Sequence, residues 1–340
     1  MNIKELAKKL NLSITTVSRA LGGYSDVSEK TRKKVKEFAL KYNYSPNLYA
    51  SALASGRSKT VGYVLPIYGT HSSTLNQGNI FQFVSGMSEA LLSESIQFQV
   101  LFAKSEAEEI QAYKKLILEQ KIENFVLQNI KTKDKRIELL NKYKINYVAW
   151  GKNKFSKNFS WVDLDNKSAI EKITNYLIKK GHKDISYINI SEKYNFASER
   201  KASFLKTLKK NKIKFNKNYY ASVKLEEPEK SFEIIRKMLS KNKKITSIIC
   251  STEFTALSAI KACNYLNLEI GKDISIITFD GPLVKELSTP PITAISFPVQ
   301  ELGKEAIKIL LKGHSNKKNY SNFEAKSDII ERGSVHQVRD

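Results

Sequence analysis

Cysteine is scarce: there are two in 340 residues, together with four histidines. Cys250 and Cys263 lie in apolar surroundings, and neither stands at metal-ligand spacing from a histidine. They read as buried free thiols, and no metal or cofactor is expected. There is no run of roughly eighteen apolar residues and no early apolar segment of signal-peptide type, so neither a membrane span nor a secretory signal is expected and the chain reads as cytoplasmic. Catalytic signatures are missing as well. There is no nucleophile elbow and no glycine-rich phosphate loop, and the adjacent acids Glu226 and Glu227 fall in a stretch that reads as surface loop. The expectation is a protein that is not an enzyme.

The length and a 41% hydrophobic content allow substantial cores, enough for two or three domains. The formal charge of +23 is consistent with a polyanionic partner. Lysine is spread along the whole chain, however, so most of that charge reads as solvated faces rather than as a binding patch.

The most specific stretch is Leu12 to Leu21. Ser13 is a strong N-cap for a helix, and Leu12 with Val17 fits a hydrophobic staple across its start. With that start fixed, Val17, Ala20 and Leu21 face inward, whereas Ser13, Ile14, Thr15, Thr16, Ser18 and Arg19 belong to the exposed N-terminal half that a major groove would meet. The flanking residues support this reading. Asn2 and Glu5 form a capping box opening a helix with an Ile3, Leu6, Ala7, Leu10 stripe, and Asn11-Leu12 is a tight turn into the second helix, as in a helix-turn-helix unit. A third helix begins at Ser28 and ends before Ser45-Pro46, because a residue preceding proline avoids the helical region.

Thr16 to Gly23, then Val27-Ser28, Thr31-Arg32, Val35, Tyr42 to Tyr44, Pro46-Asn47 and Leu53 to Gly56, together resemble the opening of the LacI family of bacterial transcription regulators. The resemblance implies that Ile14, Thr15 and Arg19 contact bases, Arg19 by pairing its guanidinium with guanine O6 and N7. It implies too that residues 47–59, a short helical pattern capped by Asn47 and stopped by Gly56, form a hinge helix. Such a helix is too short to be stable alone and orders only on DNA beside a second copy. There Leu53 would wedge into a base step, with Asn47, Tyr49, Ala50 and Arg57 as further contacts to DNA. Ala52 replaces the basic or longer polar side chain usual in the family, and Thr15 stands where many members have Ala or Gln.

From Val61 onward, apolar strands alternate with amphipathic helices, the pattern of parallel, doubly wound sheets. The expected organisation is an all-α helix-turn-helix domain over residues 1–46, the hinge over 47–59, and an effector-binding and dimerisation domain over 60–340. This last part resembles a periplasmic sugar-binding protein, with one α/β subdomain over 60–160 and 291–318 and the other over 161–290 and 319–335. Ligands of such folds bind beyond the carboxyl ends of the strands. The polar and aromatic residues expected there are Tyr68, Phe81, Trp150, Arg200, Thr252, Glu253, Asp280 and Phe297, of which Arg200 and Asp280 match ligand-binding positions of the family. Thr252-Glu253 replaces the family's usual Asn-Asp, and Ser203 its usual Gly.

The chain is therefore expected to be a repressor of carbohydrate uptake or catabolism genes. It would bind a near-palindromic operator as a homodimer and be released by a sugar or polyol. A corepressor, a phosphorylated carrier protein, or a sugar-binding module without regulatory role remain alternatives.

Overall fold

The computed structural model describes residues 1–22, 24–44, 60–67, 78–94, 96–155, 158–225, 227, 230–313 and 320–338, in two compact units. The expected hinge, with Asn47, Tyr49, Ala50, Leu53 and Arg57, lies outside the described residues, as does Tyr68.

The N-terminal unit contains three helices, α1 (Ile3–Leu10), α2 (Ile14–Leu21) and α3 (Glu29–Lys41). Each begins where a short polar side chain can replace a missing backbone partner. The Asn2 carboxamide oxygen accepts from Glu5 N at 3.0 Å while the Glu5 carboxylate accepts from Asn2 N at 3.1 Å. Ser13 and Ser28 accept from Thr16 N at 3.0 Å and Thr31 N at 3.2 Å. Asn11 ends α1 in the left-handed conformation, with φ of 54°, which asparagine tolerates better than most residues. That reversal turns the chain directly into α2. Leu6, Ala7 and Leu10, Val17 and Ala20, Val27, and Val35 and Ala39 close a small core. Three helices this short are stable because they share that apolar interior rather than because any one is stable alone.

The second unit holds two sheets. The first, in spatial order β11 (Asn322–Ala325), β5 (Ser160–Leu164), β4 (Asn146–Trp150), β3 (Asn124–Leu127), β1 (Thr60–Pro66) and β2 (Gln97–Ala103), is parallel throughout. The other runs β12 (Ile329–Ile330), β10 (Thr293–Ile295), β9 (Ser275–Phe279), β8 (Ser247–Cys250), β6 (Ile185–Ile190) and β7 (Tyr220–Val223), with only β12 antiparallel. Central strands such as β6, β8 and β9 are buried along their whole length, which explains their unbroken apolar runs.

Three subdomain assignments need correction. Residues 161–164, expected in the second subdomain, belong to β5 of the first sheet. Residues 293–295, expected to return the chain to the first, form β10 beside β9. Residues 322–325, expected in the second, pair with β5 in the first. The strands concerned have three to five residues, too few to reveal which sheet they join; their crossovers decide that.

In the first lobe the helix Gly78–Ser93 crosses the helix Val299–Gly313 at two glycines. A Cβ on Gly86 would lie 2.0 Å from Gln300 O, and one on Gly303 would lie 2.2 Å from Phe83 O. At the far edge of the second lobe the C-terminal segment is strapped across the sheet. Ser334 Oγ donates to Ile276 O at 2.6 Å and accepts from Thr293 N at 2.8 Å, and Val338 N donates to Lys180 O at 2.8 Å. Beneath this strap His182 is fully buried, its Nδ1 2.9 Å from Thr246 Oγ1 and its ring edge-on to His336 at 5.1 Å. Burial, reinforced by His336, depresses its pKa to about 4.

Two predictions follow from these contacts. Gly303→Ala should destabilise the core by about 1–3 kcal/mol in urea unfolding, since backbone rather than a movable side chain meets the new methyl. Because folding lowers the proton affinity of His182, its contribution is complete above the unfolded value of 6.5 and is lost as pH falls toward 4, up to about 3 kcal/mol. The His182→Gln variant should show a correspondingly shallower loss of stability over that window.

Candidate nucleic-acid interface and ligand cleft

The candidate reading helix is α2. Val17 and Ala20 turn into the core and Leu21 is half-buried, whereas Ser13, Ile14, Thr15, Ser18 and Arg19 are exposed. Thr16 is half-buried, its hydroxyl 2.8 Å from that of Ser13. Arg19 is ordered from within its own unit: Nη2 lies 2.7 Å from Asp26 Oδ2, and the guanidinium stands 4.8 Å from the centre of the Tyr24 ring. Neither Tyr24 nor Asp26 was singled out from the sequence, because a loop side chain's partner is fixed only by how the loop folds back.

The second site is a cleft of about 170 Å³ formed at the carboxyl ends of the strands. Pro66 ends β1, Asn129 and Lys131 follow β3, Trp150 ends β4 with Lys152 just beyond it, Ser251 and Thr252 follow β8, and Phe279 ends β9. Its two sides are joined by backbone. Lys131 and Tyr194 form an isolated antiparallel bridge, Thr132 N donates to Lys193 O at 2.9 Å and Asn195 N donates to Ile130 O at 2.9 Å.

Arg200, on the helix Asn195–Lys210, is the central cation. It is buried, and its acceptors are neutral: Nε donates to Asn166 Oδ1 at 2.7 Å and Nη1 to Ser251 O at 2.9 Å. The guanidinium lies flat against Phe279, 3.5 Å from the ring centre, and 4.9 Å from that of Phe196. Burial lowers its pKa to about 10 while Tyr187, Asp163 and Glu199 oppose the fall, so it remains charged at neutral pH. Facing it is an aromatic wall. Trp150 stacks on Phe83 at 4.3 Å, and Phe297 lies 6.1 Å from Trp150 and 6.2 Å from Phe279. A cation with aromatic faces can bond hydroxyl or carbonyl oxygens while covering a flat apolar ring face.

The structure thus brings Trp150, Arg200, Thr252, Glu253 and Phe297 to one cleft. Two of these serve the scaffold as well. Thr252 caps the helix Glu253–Tyr265, accepting from Thr255 N at 3.2 Å. Glu253 Oε1 accepts from Leu283 N at 2.8 Å and Val284 N at 3.3 Å, supplying the cap that Gly281 cannot give the short helix Pro282–Glu286. Burial raises the Glu253 pKa, and those amides oppose the rise. Two expected residues lie elsewhere. Asp280 does not line the cleft; its Oδ1 accepts from Arg332 Nη2 at 2.8 Å, because the end of β9 faces the C-terminal segment. Phe81 is 75% exposed, on the solvent side of the first turn of its helix, while Asn79 and Ile80 reach the cleft.

Asp163 and Asn166 were missed with strand β5, a short run that the sequence pattern left without an element. Asp163 accepts from Leu164 N at 2.8 Å, Lys152 N at 3.2 Å and Asn166 Nδ2 at 3.1 Å. Burial pushes its pKa up to about 6, against the pull of Lys152. Ser203 ties its helix to the Asn166–Lys179 helix by donating to Lys167 O at 2.7 Å. Among the described residues no cluster of three His, Cys, Asp or Glu side chains could hold a metal, and no helix is long and apolar enough to cross a membrane.

A helix-turn-helix head followed by a two-lobed α/β core with an interlobe cleft defines a DNA-binding transcriptional regulator of the helix-turn-helix type. Residues 2–47 match the profile of bacterial regulatory proteins of the lacI family, and residues 174–335 match that of the periplasmic binding protein-like domain. The head over residues 2–47 is thus that of the LacI family of bacterial regulators. It is similar to the HTH-type transcriptional regulator AglR of Rhizobium meliloti (strain 1021), 29% identical over 345 residues covering 100% of this chain and 96% of the relative. RegA of Clostridium saccharobutylicum is 28% identical, covering 98% and 99%. Among solved structures, the lac repressor dimer bound to operator and the anti-inducer ONPF superposes with a TM-score of 0.81 at 20% identity, covering 99% of each chain. The transcriptional regulator CelR in complex with cellobiose gives 0.75 at 20% identity, covering 98% and 99%.

Replacing Arg200 by Met should cost roughly 2–4 kcal/mol of stability in urea unfolding without any ligand, because Asn166 Oδ1 and the Ser251 carbonyl lose their donor. A loss below about 0.5 kcal/mol would mean that those acceptors are satisfied by water instead.

Proposed function

We propose that the protein is a cytoplasmic repressor that binds a near-palindromic operator as a homodimer and releases it when a sugar or polyol enters the cleft. The observation that carries this reading is the pairing of a buried Arg200, whose hydrogen bonds go to neutral acceptors, with the wall of Trp150, Phe297 and Phe279. Hydroxyls can satisfy the guanidinium's remaining donors, and the aromatic planes suit the C–H faces of a ring. The cellobiose bound by CelR, a protein of the same fold, supports a sugar as the ligand class. A cleft of about 170 Å³ favours a small one, since drug-sized ligands occupy roughly 300–1,000 Å³.

Two further features support a dimer. On the first lobe Leu92 is 76% exposed and Phe102, on the edge strand β2, is 63% exposed, apolar surface that a second copy would cover. The operator-bound lac repressor of the same fold is itself a dimer. The reading residues in this proposal are Ser13, Ile14, Thr15, Thr16, Ser18 and Arg19, with Asn47, Tyr49, Ala50, Leu53 and Arg57 in the hinge.

The mechanism is linkage. A ligand that prefers one arrangement of the lobes changes the geometry that two first lobes present to their hinges. Hinge pairing is then lost, and operator affinity falls by the ligand's differential binding energy for the two arrangements.

Thermal melting against a panel of sugars, polyols and nucleosides tests the ligand class: a ligand at 100 times its Kd should stabilise the protein by about 2.7 kcal/mol. Its binding should also change the emission of Trp150, one of only two tryptophans, and the change should vanish in Trp150→Phe. A panel without any shift, or a shift confined to nucleosides, would overturn the sugar assignment. Leu53→Ala should weaken binding and bending of operator DNA with effector affinity nearly unchanged; wild-type bending by that variant would remove residues 47–59 from the hinge role.

A further inference from the structure

Arg19 does not meet DNA as a free cation. It stands in the last turn of α2, and the loop that follows folds back over it: Tyr24 N donates to Arg19 O at 3.1 Å, and Val27 N donates to Tyr24 O at 3.3 Å before the Val27 side chain enters the core. Gly22 makes room for this return, since a Cβ there would lie 2.8 Å from the Tyr24 ring. The loop thereby lays the Tyr24 ring against the guanidinium, 4.8 Å from centre to cation, and brings the Asp26 carboxylate to 2.7 Å from Nη2. Arg19 and Asp26 are 44% and 53% exposed, so the pair adds little to folding. Its effect falls on the arginine itself.

We infer that Asp26 and Tyr24 are positioning residues that make Arg19 a reader of a guanine edge rather than a binder of phosphate, an inference that rests on the DNA-reading role of α2. A guanidinium carries five N–H donors in a rigid plane. Asp26 pairs with Nη2 as an ion pair and the Tyr24 ring lies against the guanidinium, which restrains the plane and leaves donors for guanine O6 and N7. The two classes of DNA acceptor then differ. A neutral guanine edge can be bonded while the carboxylate stays in place. A phosphate brings a second anion to a cation already neutralised, so it must displace Asp26 or accept weaker attraction. The carboxylate thus acts against non-specific attachment, which is driven by phosphate contacts and counterion release.

The test uses the full-length protein and a duplex selected by the wild type from a random-sequence pool, compared with unselected random duplex. In Asp26→Asn, affinity for random duplex should rise about 3- to 10-fold, and its salt dependence should steepen by about one unit per freed arginine. The ratio of selected to random affinity should fall at least as far, with base preference relaxed at the position that Arg19→Ala identifies and not elsewhere. Tyr24→Leu, which keeps apolar bulk but removes the ring face, should relax the same position, whereas Tyr24→Phe should not. A purely structural role would instead lower the melting temperature and weaken both duplexes alike. That result, or an unchanged ratio in both Asp26→Asn and Tyr24→Leu, overturns the inference. Failure of the wild type to select any sequence would overturn the DNA-reading role itself, a distinguishable outcome.

Discussion

A guanidinium taken out of water with no carboxylate hydrogen-bonded to it is the constraint from which the effector half can be understood. Arg200 is satisfied by a carboxamide, a main-chain carbonyl and an aromatic face, none of them charged. Each acceptor comes from a different segment: Asn166 begins the helix after β5, Ser251 follows β8 and Phe279 ends β9. Leaving that cation unsatisfied would cost more than an ordinary hydrogen bond, so these segments are held to one another. What results is a buried cation in the lining of the cleft whose hydrogen-bonded acceptors are neutral.

The acidic groups around the cleft follow the same logic in reverse. Glu253 is spent on the amides of the short helix Pro282–Glu286, Asp163 on two main-chain amides and Asn166, and Asp280 on Arg332. They fix the walls. The lobes are joined on one side of this cleft by the Lys131–Tyr194 bridge and by Asn195 N to Ile130 O. Two arrangements of such lobes can be discriminated by a small ligand that binds one of them better, which is the general requirement for coupling a cleft to a second site.

At the opposite end of the chain the economy is different. The head has eight fully buried apolar residues at its centre and depends on caps and tight returns for its shape. Those same returns bring Tyr24 and Asp26 against the Arg19 guanidinium, so the loop that closes the small core also holds that exposed side chain.

Local rules were enough for much of this. Asn2, Ser13 and Ser28 start their helices in the sequence as in the structure, because a cap involves residues only three apart. The apolar runs at β1, β6, β8 and β9 announced parallel sheets, since a strand covered on both faces has no polar period to hide. Trp150, Arg200 and Thr252 could be placed near the cleft because doubly wound folds aim strand ends at one crevice. What the sequence could not settle were relations across long separations. The lobe to which β5, β10 and β11 belong depends on crossovers, the removal of Asp280 from the cleft depends on Arg332 fifty-two residues away, and the harnessing of Glu253 depends on amides some thirty residues on. Periodicity and capping are properties of neighbours in the chain. The partner of a buried charge is a property of neighbours in space, which only the folded chain creates.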